Sequence, residues 1–129
     1  MTWVTAAIGE TSDKVDIQVG ASLALVAGGP DSADECARGP GPFELLLASL
    51  GACTVIKLKQ HAAARDWPLE AVEVDLNLVS RQSSRCVERI LSFQGPLDPA
   101  QREELLAVAE QSAVTLLLRA GLRIHTELA

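Results

Sequence analysis

The stretch Gly39–Cys53, GPGPFELLLASLGAC, delivers one cysteine into the middle of an unusually apolar helix. Gly39, Pro40, Gly41 and Pro42 interrupt whatever precedes them, and a proline at a helix start sacrifices only an amide that has no intrahelical partner. Glu44 falls in the first turn, where negative charge suits the dipole. From Leu45 to Leu58 the chain is rich in leucine, alanine, valine and isoleucine, with no polar stripe before Lys57 and Lys59. A helix apolar on nearly every side must be buried on nearly every side. Ala48, Ser49, Gly51 and Ala52 are small enough to admit another backbone, an arrangement natural between two copies of one chain. The stretch therefore reads as a central, buried helix that takes part in a dimer interface.

Working outward, 129 residues with 48% hydrophobic composition suffice for one domain with a modest core, spanning residues 1–129. A formal net charge of −6, with no basic stripe and no aromatic stacking platform, argues against nucleic acid as a partner. The N-terminus lacks the charged start and apolar run of a signal peptide, and the longest apolar helix is too short to span a bilayer and ends in lysines. A cytoplasmic protein with no membrane partner is the economical expectation. Cys36, Cys53 and Cys86 are too few and too far apart for a disulfide scaffold, and no CxxC pair suggests zinc or a thioredoxin-like site. Free thiols in a reducing compartment fit best, and no metal or other cofactor is expected.

Trp3–Ile8, Lys14–Val19 and Ser22–Val26 read as three short strands of a meander. Ala27–Gly41, rich in glycine, proline and acidic residues, reads as a surface loop. The central helix should stop near Arg65, because Trp67 precedes Pro68 and that position disfavours helical backbone. Val72, Val74, Leu76 and Leu78 alternate with Glu73, Asp75 and Asn77 as a strand, Arg81–Arg85 makes a polar turn, and Val87–Phe93 returns as the second arm of a hairpin. Asp98-Pro99-Ala100-Gln101 spells a capping box, so a second helix should run to about Gln111, followed by a short helical segment near Val114–Leu118. Arg123–Leu128 should close the chain as a last strand. Strands, a long buried helix, a hairpin, another helix and a final strand make an α+β domain.

The runs GPGPFELLLASLGAC, RDWPLEAVEVDL and VERILSFQGPLDPAQREELLAVAEQS resemble the OsmC/Ohr superfamily of osmotically inducible and organic hydroperoxide resistance proteins. The resemblance covers the chain from about Ala37 onward, and its most specific element is the proline, the ELLLA-type helix start and the cysteine nine residues after the glutamate. It implies an intertwined homodimer with central helices packed together and active sites at the subunit interface. It also implies that Cys53 attacks an organic hydroperoxide as thiolate, releasing an alcohol and leaving a sulfenic acid. In such proteins a second cysteine, followed by proline and valine, then closes a disulfide; this chain has Ser112-Ala113-Val114 there. Ser112 therefore stands in the resolving position, and a hydroxyl cannot condense with a sulfenic acid to a disulfide.

The resemblance further implies a glutamate directly after the helix-starting proline, paired with an arginine of the first hairpin that activates the thiol. Here Phe43 follows Pro42 and Glu44 comes one position later. Nine residues, about two and a half turns, set Glu44 and Cys53 on opposite sides of one helix, so Glu44 would reach a thiol only across the dimer. The first hairpin has Lys14 and no arginine, and Arg38 lies in the loop; both are candidates for the activating cation. Being mid-helix, Cys53 gains nothing from an N-terminal dipole, so a nearby cation would be needed. Lys57, one turn on, is another candidate, although a lysine there also reads as the solvent-directed end of the apolar run.

A lone helical cysteine is otherwise most simply a small buried hydrophobe. Cys36 is a substitute resolving thiol or an incidental loop residue, and Cys86 opens a strand. His61 and His125 belong to no metal pattern, and His61 with Cys53 alone makes no metal site. Asp31, Asp34 and Glu35 read as a solvated loop. The expected function is thiol-dependent reduction of organic hydroperoxides through Cys53 by a one-cysteine route, with an external thiol reductant or Cys36 regenerating the thiol. The alternatives are a non-catalytic paralogue binding a small apolar ligand at the dimer interface, and a redox sensor acting through a mixed disulfide at Cys53.

Overall fold

Antiparallel hairpin chemistry and two well-capped helices account for most of the architecture, seen here in a computed structural model that describes residues 3–10, 14–28 and 39–129. The chain divides into two units, Met1–Leu46 and Leu47–Ala129. In the first, β1 (Val4–Ala7), β2 (Val15–Val19) and β3 (Leu23–Ala27) form a meander in that order. Ala6 faces Ile17 and Ile17 faces Leu25, so one face of the sheet carries aliphatic side chains in register. The Gly28 N–H donates to the Pro40 carbonyl at 2.9 Å. A Cβ on Gly39 would lie 2.1 Å from the Val26 carbonyl oxygen, so only glycine permits this approach. The loop expected over Ala27–Gly41, with Asp31, Asp34, Glu35, Cys36 and Arg38, otherwise lies outside the described residues.

The central helix, α1, runs Pro42–Ala64. Pro42 opens it, and the Glu44 carboxylate accepts from the Gly41 N–H at 3.0 Å, closing half of a capping box. Its end is a Schellman turn: Asp66 takes φ 54°, the Asp66 N–H donates to the Ala63 carbonyl and the Trp67 N–H to the Ala62 carbonyl, and Pro68 prevents continuation.

In the second unit β4 (Ala71–Arg81) and β5 (Ser84–Gln94) form the expected hairpin, longer than the alternation alone suggested. Gln82 and Ser83, at φ 47° and 71°, make a two-residue turn whose twist matches the strands. The register pairs Val72 with Phe93, Val74 with Leu91, Leu76 with Arg89 and Leu78 with Val87. That set, apart from the exposed Val87, is the half-buried face. Helix α2 (Pro99–Ala109) carries the capping box read from Asp98 and Gln101, with both reciprocal hydrogen bonds formed. Helix α3 (Ala113–Ala120) follows.

The core gathers Leu58, Ala62, Leu69, Leu97, Leu105, Val108 and Ala109, flanked by Trp67, Val72, Leu91 and Phe93. Gly51 sets α1 on the hairpin: a Cβ there would come 2.9 Å from Leu76 Cδ1 and 3.6 Å from Val74 Cγ1. The small residue read as room for a second copy thus makes room for β4 of the same chain. Burial of α1 is one-sided, through Leu50, Gly51, Thr54, Leu58 and Ala62. Ala48, Ala52 and Ile56, at four-residue spacing, stay exposed within the single chain, so burial of α1 on every side would need a second copy. The last strand expected over Arg123–Leu128 is absent: residues 121–129 join no ladder, and Ile124 and Leu128 are 85% and 100% exposed. A strand is defined by a partner, and among the described residues no other strand of the chain offers these residues one.

Candidate functional site

Cys53 is half-buried on α1, and its Sγ accepts a hydrogen bond from the Val114 N–H at 3.4 Å. Val114 is the second residue of α3, whose N-cap is Ser112. An N-cap serine ordinarily accepts from an amide of the first turn. Ser112 does not; its buried hydroxyl instead shares a hydrogen bond with the Thr115 hydroxyl at 2.6 Å. The sulfur of α1 thus satisfies an orphan amide at the start of α3. A helix N-terminus does meet the sulfur, and it is that of α3, not of α1.

The guanidinium beside this contact was not foreseen. Arg89 reaches inward from β5, its side chain 11% exposed. Its Nη1 donates to Thr54 Oγ1 at 3.0 Å and to Thr115 Oγ1 at 2.9 Å, and its Nη2 to the Ala109 carbonyl at 3.3 Å and to Glu110 Oε1 at 3.2 Å. Thr54 Oγ1 in turn donates to the Leu50 carbonyl at 2.7 Å. One cation therefore ties α1, the C-terminus of α2 and the first turn of α3 to the hairpin, with a favourable charge at the end of α2. Glu110 also pairs with Arg119. The Arg119 hydrogen bond, opposed by desolvation and helped by the charges of Arg119 and Arg89, holds the Glu110 carboxyl below its ordinary value of 4.5. The available sequence signal was phase: with period 2, Arg89 shares a strand face with Val87, Leu91 and Phe93, where a charge has to find partners inside.

Beside the network opens a cavity of about 540 Å³, lined by Leu50, Leu91, Leu106 and Leu118 on one hand and by Arg85, Arg89, Glu110 and Arg119 on the other. Lys57 is exposed, and Glu44 is engaged at the start of α1. Lys14 pairs with Asp16 at 3.8 Å. Arg38 and Cys36 lie outside the described residues. Cys86 is exposed opposite Val79. His61 packs edge-on to Trp67 and meets Arg65 at 3.1 Å, whereas exposed His125 sits by Glu127 at 3.1 Å. Among the described residues no three His, Cys, Asp or Glu side chains are placed to hold a metal ion, and no helix is long and apolar enough to cross a membrane.

A helix-borne thiol set against the first turn of a second helix, in a frame of antiparallel hairpins, defines an α+β protein with a candidate redox cysteine. The family model for OsmC-like proteins matches residues 31–127, and the chain belongs to that family. No curated protein matches it. Solved structures agree on the fold. An OsmC-like protein from Mycoplasma pneumoniae aligns with a TM-score of 0.77 at 16% identity over 92% of this chain and 87% of its own. A Legionella pneumophila structure described as an organic hydroperoxide resistance protein OsmC aligns at 0.67 and 20% identity, over 92% and 89%. The organic hydroperoxide resistance protein OhrB of Bacillus subtilis aligns at 0.62 and 21% identity, over 86% and 84%. The α+β, OsmC-like fold expected from the residues is the fold observed.

Proposed function

We propose that this protein reduces organic hydroperoxides through Cys53 by a one-cysteine cycle, in a single OsmC-like domain acting as a homodimer in a reducing, cytoplasmic setting. Membership in the OsmC-like family supports a peroxide-related role. The observation that carries the assignment to Cys53 is the Val114 N–H directed at its sulfur. The sulfur attacks the terminal peroxide oxygen, the O–O bond breaks, and the departing alkoxide takes a proton to leave as the alcohol. Cys53 is left as a sulfenic acid. An external thiol then condenses with it, releasing water and forming a mixed disulfide, and a second equivalent attacks the reductant sulfur of that bond, freeing the Cys53 thiol and releasing the disulfide of the two reductant thiols. Ser112, buried and hydrogen-bonded to Thr115, favours this route over an internal disulfide. Leu50, Leu91, Leu106 and Leu118 of the cavity beside Arg89, which also carries Arg85, Glu110 and Arg119, offer an apolar tail some burial that hydrogen peroxide lacks. The exposed row Ala48, Ala52 and Ile56, together with the unpaired residues 121–129, supports assembly with a second copy.

A second reading, a non-catalytic paralogue that binds a small apolar ligand, is favoured by the same serine and cavity. Brief, near-stoichiometric cumene hydroperoxide in the presence of a sulfenic-acid trap, read by peptide mass spectrometry, separates them. Rapid trapping at Cys53, absent from Cys53→Ser and slower with hydrogen peroxide, is the expected result. An inert Cys53 removes the peroxidase and leaves the binding protein.

A further inference from the structure

Two of the four hydrogen bonds of Arg89 end on residues that adjoin the thiol contact. Thr54 follows Cys53 directly on α1, and Thr115 follows Val114 directly on α3. The two hydroxyls are held by the same nitrogen, Nη1, which fixes the neighbours of donor and acceptor against one another. The second nitrogen, Nη2, grips the Ala109 carbonyl and Glu110, so the junction between α2 and α3 cannot swing away without breaking a charge-assisted bond. We infer that Arg89 is a positioning residue: it holds the first turn of α3 against the Cys53 sulfur, and through that contact sets the reactivity of the thiol. This deepens the peroxidase reading and rests on it for its biological purpose, although the geometric step concerns the thiol alone.

A guanidinium is the group suited to the task. A lysine ammonium offers donors from one atom, whereas the planar fork reaches two hydroxyls and a carbonyl–carboxylate pair in fixed directions. Arg119 meets the network only through Glu110, and Lys57 is exposed.

The decisive experiment measures alkylation of Cys53 by iodoacetamide across neutral pH, by peptide mass spectrometry on the full-length protein, for wild type, Arg89→Met, Arg89→Lys and Thr115→Val. Losing the alignment with a helix N-terminus should slow alkylation near neutral pH about two- to fivefold and move the pH profile upward. Thr115→Val should shift it in the same direction, and Arg89→Lys should rescue it only in part. A purely structural Arg89 would lower the thermal midpoint and leave the alkylation profile of the folded protein unchanged, which overturns the inference. If Arg89→Met does not fold, isosteric Thr115→Val decides the same question. Should wild-type Cys53 resist hydroperoxides while the variants still slow alkylation, the peroxidase reading falls and the positioning role stands.

Discussion

Ser112→Cys tests the geometry of the site more directly than loss of activity can. Ser112 occupies the N-cap position of α3 with its hydroxyl turned to Thr115, and two residues later the Val114 N–H meets Cys53 Sγ at 3.4 Å. A thiol at position 112 is therefore presented beside the sulfur that hydroperoxide oxidises, and one rotation should let it condense with the sulfenic acid. In the reduced variant the Ser112–Thr115 hydrogen bond is lost, at a cost of about 1 kcal/mol. Once closed, a bridge between positions 53 and 112 encloses about 60 residues, and chain-entropy arithmetic assigns such a loop about 4 kcal/mol. Oxidised protein should thus gain about 3 kcal/mol over wild type, less whatever strain the bridge imposes. Urea denaturation with and without dithiothreitol, alongside counting of free thiols after one equivalent of cumene hydroperoxide, gives both numbers. Peroxide that oxidises Cys53 but leaves the new thiol free, with identical denaturation midpoints, would refute the placement of Ser112 beside the site.

Other perturbations probe the frame and its charges. Leu105, fully buried in the core, should cost about 2–5 kcal/mol as Leu105→Ala in chemical denaturation, through lost transfer energy and the cavity left behind. Asp98→Ala removes the cap of α2 and should cost about 1 kcal/mol by the same assay, with Cys53 trapping unchanged. Glu110 releases its proton at lower pH when folded than when unfolded, chiefly because Arg119 hydrogen-bonds it. The unfolded chain therefore binds more protons in that window, so its stabilisation is complete above the unfolded value and is lost as pH falls through the folded one. Denaturation midpoints of wild type should accordingly fall more steeply in acid than those of Glu110→Gln; parallel profiles would show that the Arg119 and Arg89 contacts do not favour the ionised form.

Much of the frame could be read residue by residue because its causes are local. Pro42 and Glu44 start α1, Pro68 stops it, and Asp98 with Gln101 caps α2, all through contacts within about one helical turn. The alternation of Val72 to Leu78 likewise announced the inward face of β4. Cys53 stood out for its setting in an apolar helix, and Ser112 for the resemblance that aligned it with a resolving thiol. What the chain order could not express was the meeting of side chains from separate elements. The amide at the Cys53 sulfur comes from a residue 61 positions further on, and Arg89 gathers partners from three helices at once. A dipole or a cation acts through distance in space, and neither leaves a periodic trace around the cysteine. The last segment failed for a related reason. Leu122, Ile124 and Leu128 have strand-like spacing, but pattern describes only which face is apolar, whereas a strand exists only where another backbone supplies its hydrogen bonds. Local chemistry was enough for the helices, the hairpins and the residue types of the site; which amide and which cation each of them meets follows from packing between elements far apart in the chain.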